Sequence, residues 1–465
     1  MKSSLNSKNI QNIEWKDALI PGFKENQVQE KPNWSMLFFG ILTLVIFFGL
    51  FLRLFHLQVV KGSENRQLAD GNRIKIKVIH APRGVIFDRN GEVLAQNLAG
   101  FRLLDPKHKK TSFVSREEAR NLEVKNDPKI NFLEVDNIRT YPQKAVTSHL
   151  VGYMGEISEE QLKNPIYKAY KSGDKIGVLG IEGKYEDLLR GKDGGEIIEV
   201  DASGNPLRTL GKVHPISGEN LNLTLDLNLQ KKSYEALKEA LQKSGSCCGA
   251  LIVSNPNTGE ILSLVSLPSF DPNIFENGGE KTEEILSSKN FPLLNRVISG
   301  TYQPGSTFKI ISSAAALESG KIKPETTIED QGVITLSGQK FANWYFTEYG
   351  RLEGHVNLVK AIKRSTDTFY YFVGQTLGEG PLIELARKFK LGNKLDIDIP
   401  GEVEGLVGDP GWKEKNQDLP WYPGDTLHLS IGQGFILSTP LQIHGLISYV
   451  AADGKLYKPY LLKDS

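Results

Sequence analysis

Read as a pattern of apolar and polar positions, the chain changes period several times. Residues 1–33 are polar, mixed in charge and without hydrophobic periodicity, the pattern of a short tail. From Trp34 to Leu52 the sequence WSMLFFGILTLVIFFGLFL carries no charge and is apolar on every face. A helix of that length reaches about 30 Å, the thickness of a bilayer's hydrocarbon. A buried core helix is the alternative, but one so apolar on every face over this length is more often a membrane span. A cleaved signal peptide would have a shorter apolar run and a small-residue cleavage site. An uncleaved single span over 34–57 is therefore expected. Lys and Arg flank it on both sides, so charge alone leaves its orientation open.

Beyond the span, IKIKVI alternates as a strand does, and GVIFDRNGEVLA places two extended runs around Asn90-Gly91, a pair suited to a type I′ hairpin. GEIIEVDASGNPLRTL repeats strand, turn and strand, while SREEARNL, SEEQLKN and GIEGKYEDLLRG read as short helices. Residues 58–222 are thus expected to form a mixed α+β pedestal without a concentrated reactive constellation. At LNLTLDLNLQKKSYEALKEALQKSG, two-residue alternation from Leu221 to Leu227 gives way to helical spacing at Leu229, Tyr234, Leu237 and Leu241. The boundary of a second domain, 223–465, is placed there. Two apolar strands in GALIVSNPNTGEILSLVSL precede long helical runs from Ser306 and through NLVKAIKRSTDTFYYFVGQTLG. Strands followed mainly by helices predict an α+β domain with an antiparallel sheet against a helical layer.

Composition narrows the function classes. A formal charge of +1 over 465 residues excludes a broad nucleic-acid surface, and no His/Cys cluster has metal-ligand spacing. No metal or cofactor is expected. The two cysteines, Cys247 and Cys248, are adjacent; in an extended segment they would point to opposite faces, so no disulfide between them is expected.

The candidate chemistry begins at GTYQPGSTFKIISSAAALESG. Ser-x-x-Lys occurs three times, at Ser172–Lys175, Ser306–Lys309 and Ser337–Lys340. Only the second follows a Pro-Gly break and opens an apolar helical run, where residues three apart share a face. Lys309 would then lie one turn from Ser306. Burial and the positive end of the helix both favour its neutral amine, a base for a serine nucleophile. The Ser306 N–H, at a helix start, is placed to donate to an oxyanion. Those four residues alone are better matched by a helix N-cap followed by a solvated lysine. A second group, Ser365 and Asp367 in KRSTDTFYYFVG, falls at the junction of two helical runs, where caps are also common. Ser365 is read as a proton relay and Asp367 as the group that orients Lys309. HLSIGQGFILSTPLQI adds glycines 432 and 434 ahead of another helix.

PGSTFK, STDTFYYF and SIGQGFILSTPLQI, in that order, resemble the transpeptidase domain of the penicillin-binding proteins, the first two matching its serine and second-motif positions. RGVIFDRNGEVLA, GIEGKYEDLLRGKDG and NPNTGEILSLVSLPSFDPN resemble segments of the class B members. Asp367 in the second motif, with Gly-Gln-Gly, resembles the elongation type, penicillin-binding protein 2. The resemblance implies a peptidoglycan D,D-transpeptidase with a serine acyl-enzyme. It implies stem peptides and β-lactams as ligands, and a membrane glycosyltransferase and elongation-complex proteins as partners. It places a cytoplasmic tail at 1–33, the anchor in the cell membrane and the catalytic domain outside the cytoplasm.

Two departures from the family pattern stand out. No Lys-Ser/Thr-Gly follows Ser365; Lys171-Ser172-Gly173 and Lys243-Ser244-Gly245 both precede Ser306. The expectation is a transpeptidase domain lacking its C-terminal part, with little or no transpeptidase activity. The stretch from Phe101 to Tyr141 is also short for the pedestal head. A non-catalytic, membrane-anchored scaffold, an inactive fragment and a membrane β-lactam sensor are the competing readings. The long pedestal and single N-terminal span argue against the sensor.

Overall fold

The computed structural model describes residues 34–105, 110–114, 116–125, 127–129, 133–201, 206–276 and 279–463. The tail expected over residues 1–33 lies outside them, as does part of the stretch between Phe101 and Tyr141. The chain separates into two units, one of Met1–Lys75 with Ile197–Leu210, the other of Ile76–Glu196 with Gly211–Ser465.

The first unit holds the helix Trp34–Phe55, which continues through a π-helical turn, His56–Val60, to the helix Gly62–Arg73. Leu37–Val60 is long and apolar enough to cross a membrane. Its large side chains point outward all round, with Leu44 71% and Phe47 66% exposed. Within the same unit the Glu199 carboxylate pairs with Arg73 and Arg208.

The second unit is mixed α+β. Ile86–Phe87 runs antiparallel to Val93–Asp105, which in turn pairs with Lys110–Val114 and Leu133–Thr140; Leu221–Asn222 adds a parallel edge on Ile86–Phe87. The expected hairpin at Asn90-Gly91 forms, but not with a type I′ turn. Gly91 alone takes a left-handed φ of 87°, and its N–H donates to the Asp88 carbonyl at 3.2 Å. One positive φ suffices because the loop is a type I turn closed by a glycine bulge. The buried Asp88 carboxylate accepts from the Asn90 and Glu92 N–H groups, and its second oxygen accepts from the Leu227 N–H at 3.0 Å. The turn is thereby tied to the start of the helix Leu227–Ser244.

The Leu221–Leu227 alternation buries Leu221, Leu223, Leu225 and Leu227, although only the first two residues join a ladder. Asp226 caps the following helix through Leu229 N–H. That helix packs on the antiparallel pair Gly249–Ser254 and Ile261–Leu267, whose other side meets the helix Pro440–Ala451. Cys247 and Cys248 form a vicinal disulfide, contrary to expectation. They sit in a bend after the Gly245 cap rather than in extended chain, so their side chains are not forced to opposite faces.

Two apolar clusters hold this unit together. One joins Ile86, Leu150, Ile181 and Leu221 to Ile261, Ile298 and Leu461, so residues from both sides of position 222 share a core. The other, with Phe308, Ile311, Phe369, Tyr370, Leu427 and Ile436, lies within the helical layer. Under the first cluster's pedestal end, the fully buried Glu182 carboxylate accepts from Arg83 Nε and Arg139 Nε, each at 2.6 Å.

Candidate active site

The turn that presents Ser306 begins at Gly305, held at φ 55°. Gly305–Phe308 is a single 3-10 turn, and the α-helix starts only at Lys309, three residues later than the sequence predicts, running to Glu318. The tighter turn leaves Ser306 exposed while Phe308 and Lys309 point into the helical layer. Ser306 is not an N-cap; no side chain caps this turn.

The second motif is a helix junction. Leu358–Arg364 ends in Ser365 at φ 51°, and the next helix begins at Asp367. A left-handed serine is uncommon and carries a strain of roughly 1–3 kcal/mol. Here it turns the chain so that the Ser365 side chain and carbonyl both face Lys309. Lys309 Nζ donates to Ser365 O at 2.8 Å, to Ser365 Oγ at 3.0 Å and to Asp367 Oδ1 at 2.5 Å. The Ser365 hydroxyl donates to Ser306 Oγ at 2.9 Å. The four residues singled out in the sequence thus stand in one chain of contacts, Asp367–Lys309–Ser365–Ser306. Among the described residues no direct hydrogen bond joins Lys309 to Ser306: the expected one-turn contact is replaced by hydrogen bonds through Ser365.

Lys309 is buried, with 4% of its side chain exposed. Burial pulls its pKa below the usual lysine value, and the Asp367 carboxylate opposes that pull only in part. A buried amine with a lowered pKa, one hydroxyl away from an exposed serine, is equipped to accept a proton as that serine attacks an electrophilic carbon.

The loop 431–434 packs on the turn that carries Ser306. The Gly305 N–H donates to Gly432 O at 2.9 Å, Tyr302 and Ser438 exchange both backbone hydrogen bonds, and Ser312 Oγ donates to Ser430 O. Ser306 therefore sits on a turn pinned along both its flanks.

The other two Ser-x-x-Lys matches are not brought into any such arrangement. Ser172 lies in a turn before a strand, and Lys175 pairs with Glu276. Ser337 is the φ 50° corner of the hairpin Val333–Leu336/Gln339–Ala342. Of the two early Lys-Ser-Gly sequences, Lys243 pairs with Glu239 and Gly245 caps its helix. Sequence reasoning missed Asn343 and Trp344, which hydrogen-bond Asp367, and Asp330, which holds Asn343 and Thr368. They lie in separate segments whose only sequence signal is an Asn at the start of a helical run. Among the described residues no group of three or more His, Cys, Asp or Glu is placed to hold a metal ion.

With this geometry in view, the likeness to known proteins is specific. Residues 249–465 match the penicillin binding protein transpeptidase domain, and residues 104–223 the penicillin-binding protein dimerisation domain. The peptidoglycan D,D-transpeptidase MrdA of Acinetobacter baumannii is 32% identical over 485 residues, spanning 95% of this chain and 70% of that protein. The protein of the same name from Escherichia coli K12 is 33% identical over 474 residues, 91% of this chain and 73% of that one. Among solved structures, the complex between penicillin-binding protein PBP2 and MreC from Helicobacter pylori matches with a TM-score of 0.73 at 30% identity, over 84% of this chain and 80% of that one.

Proposed function

This chain belongs to the class B penicillin-binding proteins, among the peptidoglycan D,D-transpeptidases of the MrdA kind, and from that premise we propose that Ser306 is its acylated nucleophile, Lys309 the general base, Ser365 the proton relay and Asp367 the group that orients the base. The carrying observation is the row of contacts from Lys309 Nζ through Ser365 Oγ to Ser306 Oγ, at 3.0 and 2.9 Å.

In the resting geometry Lys309 directs three donors at Ser365 O, Ser365 Oγ and Asp367, as a protonated ammonium does. Once that proton is lost, the free amine accepts from the Ser365 hydroxyl, which accepts in turn from Ser306. The Ser306 oxygen attacks the carbonyl carbon between the last two D-alanines of a stem peptide. A C–O bond forms and the carbonyl electron pair moves to oxygen, facing the Ser306 N–H in the first turn, which has no intrahelical acceptor. The C–N bond then breaks, and the departing D-alanine nitrogen takes its proton back along the relay. In the second half, an amine from a neighbouring stem peptide attacks the ester, gives its proton to the relay, and Ser306 leaves as the restored hydroxyl. A β-lactam presents its strained amide to the same oxygen.

The remaining assignments follow the same reading. Residues 34–57 anchor the chain in the cell membrane, with 1–33 in the cytoplasm; 58–222 form the pedestal and 223–465 the transpeptidase domain, both outside it. Elongation-complex proteins are its partners; the finer assignments are a membrane glycosyltransferase and, from the Helicobacter pylori complex, an MreC-like protein. Protease added to spheroplasts should digest everything beyond residue 58; complete protection would reverse the topology.

Labelling by a fluorescent penicillin, with the protein expressed from its own gene, tests the site. Ser306→Ala should abolish covalent labelling, whereas Ser172→Ala and Ser337→Ala should keep it. Labelling that survives Ser306→Ala overturns the assignment.

A further inference from the structure

Asp330 ends the strand Ile328–Asp330 and is 1% exposed. Its carboxylate accepts four hydrogen bonds from four separate stretches of chain. Oδ1 accepts from the Gly332 N–H at 3.0 Å and from Thr368 Oγ1 at 2.8 Å; Oδ2 accepts from Asn343 Nδ2 at 3.1 Å and from the Glu353 N–H at 2.8 Å. Burial raises its pKa, but these donors outweigh burial and hold the group below the usual carboxylate range. Among the described residues no cation pairs with it. An ionised carboxylate without a counter-charge is expensive to bury unless its lone pairs are filled, and here they are filled by neutral donors.

Two of those donors, Asn343 and Thr368, lead to Asp367. Asn343 is fully buried, and its Oδ1 accepts from the Asp367 N–H at 3.1 Å. The next residue, Trp344, donates its N–H to Asp367 Oδ2 at 2.9 Å. Thr368, held by Asp330, is the residue after Asp367. Asp367 is thus gripped at its main-chain nitrogen, at one carboxylate oxygen and at its following neighbour, and the remaining oxygen is left to face Lys309 at 2.5 Å. Neither Asp330 nor Asn343 hydrogen-bonds Ser306, Lys309 or Ser365.

We propose that Asp330 and Asn343 are positioning residues for proton transfer: the buried Asp330 carboxylate fixes Asn343 and the first turn of the Asp367 helix, and so sets where the Asp367 carboxylate meets Lys309. The inference rests on the reading of Lys309 as the general base. It explains why a charge, rather than an apolar contact, lies behind the site. Apolar packing tolerates sliding, whereas four directional bonds on one carboxylate fix four segments relative to one another.

The test is a double-mutant cycle on the rate constant of acylation by a fluorescent penicillin, measured across pH for the protein expressed from its own gene. Asn343→Ala should slow acylation by roughly 10- to 100-fold, the scale set by displacing a catalytic group by up to about 1 Å. It should also move the rising limb of the profile to lower pH, because Asp367 then supports the Lys309 charge less well. In Asp367→Asn the carboxylate is already gone, so adding Asn343→Ala should slow the reaction by no more than about 3-fold further; groups acting through one another are non-additive. Thr368→Val removes one donor from Asp330 while keeping side-chain size, and it carries the same test if Asn343→Ala does not fold. Unshifted limbs, or full multiplicative slowing in the double variant, would show that the network only supports the fold and overturn the proposal. Failure of the parent reading looks different: the wild-type profile would then show no limb that Lys309→Arg removes.

Discussion

Gly432 rests directly on Gly305. The Gly305 N–H donates to the Gly432 carbonyl at 2.9 Å, and a Cβ added at Gly432 would stand 2.2 Å from Gly305 O and 2.6 Å from Phe308 Cβ. Gly432 also has a φ of 73°, so any side chain there meets both strain and a backbone collision.

Gly432→Ala should therefore push the Ser306 turn outward while leaving the helical core closed. Acylation by penicillin should fall on the order of 100-fold, because the serine leaves its contact with Ser365. Gly434→Ala is the control: it shares a left-handed φ, of 75°, but its added Cβ comes no closer than 3.3 Å to a neighbour, His428 Cβ. A Gly432→Ala protein with the wild-type rate would show that the turn is not seated on this loop.

On the proposed assignment of Lys309 as general base and Asp367 as its orienting group, the pH dependence of acylation follows from Lys309. Its folded pKa lies below 10.5, chiefly through burial, with Asp367 raising it in part. The amine must be neutral to act as a base, so the rate should rise with pH and level off with a midpoint below that of an ordinary lysine. Removing the Asp367 charge removes the raising contribution. Asp367→Asn should then shift the midpoint further down and lower the plateau, since the carboxylate also orients the amine. A midpoint that moves up would mean that Asp367 acts on another group.

Much of this arrangement is legible in the sequence, for identifiable reasons. Ser306 and Lys309 are close in sequence and follow a Pro-Gly break; Ser365 and Asp367 interrupt one long helical pattern. The leucine alternation from 221 to 227 marks buried positions even where no ladder forms. The illegible part is of two kinds. The relay through Ser365, rather than a direct Lys309–Ser306 contact, depends on a 3-10 turn and a left-handed serine, which periodicity does not encode. The Asp330–Asn343–Asp367 network and the Arg83–Glu182–Arg139 cluster join residues from distant segments, up to 99 apart in sequence for Arg83 and Glu182. Only the fold brings their charges together. The vicinal disulfide was misread because the chain bends at Cys247 instead of running straight into the following strand.

A buried histidine in the pedestal sets a distinct limit on acid stability. His149 is 6% exposed; its Nε2 lies 2.8 Å from the Pro292 carbonyl, and its ring meets Phe270 edge to face. A carbonyl only accepts, so Nε2 carries the hydrogen. Burial lowers the His149 pKa to about 4, Pro292 opposing and Arg296 adding to the effect. In the unfolded chain the ring titrates near its ordinary value of 6.5. Between these two values the unfolded state binds a proton that the folded state refuses, so stability falls as pH drops from 6.5 toward 4. At about 1.4 kcal/mol per pH unit, roughly 2.5 kcal/mol should be lost between pH 7.5 and 4.5 through this residue alone. His149→Gln keeps an N–H for Pro292 but cannot charge. At pH 7.5 the variant should be the less stable protein, having lost the contact with Phe270. At pH 4.5 the gap should close or invert, by about that 2.5 kcal/mol. Denaturant unfolding of both proteins at the two pH values measures it, and parallel losses in the two would rule out His149 as the source.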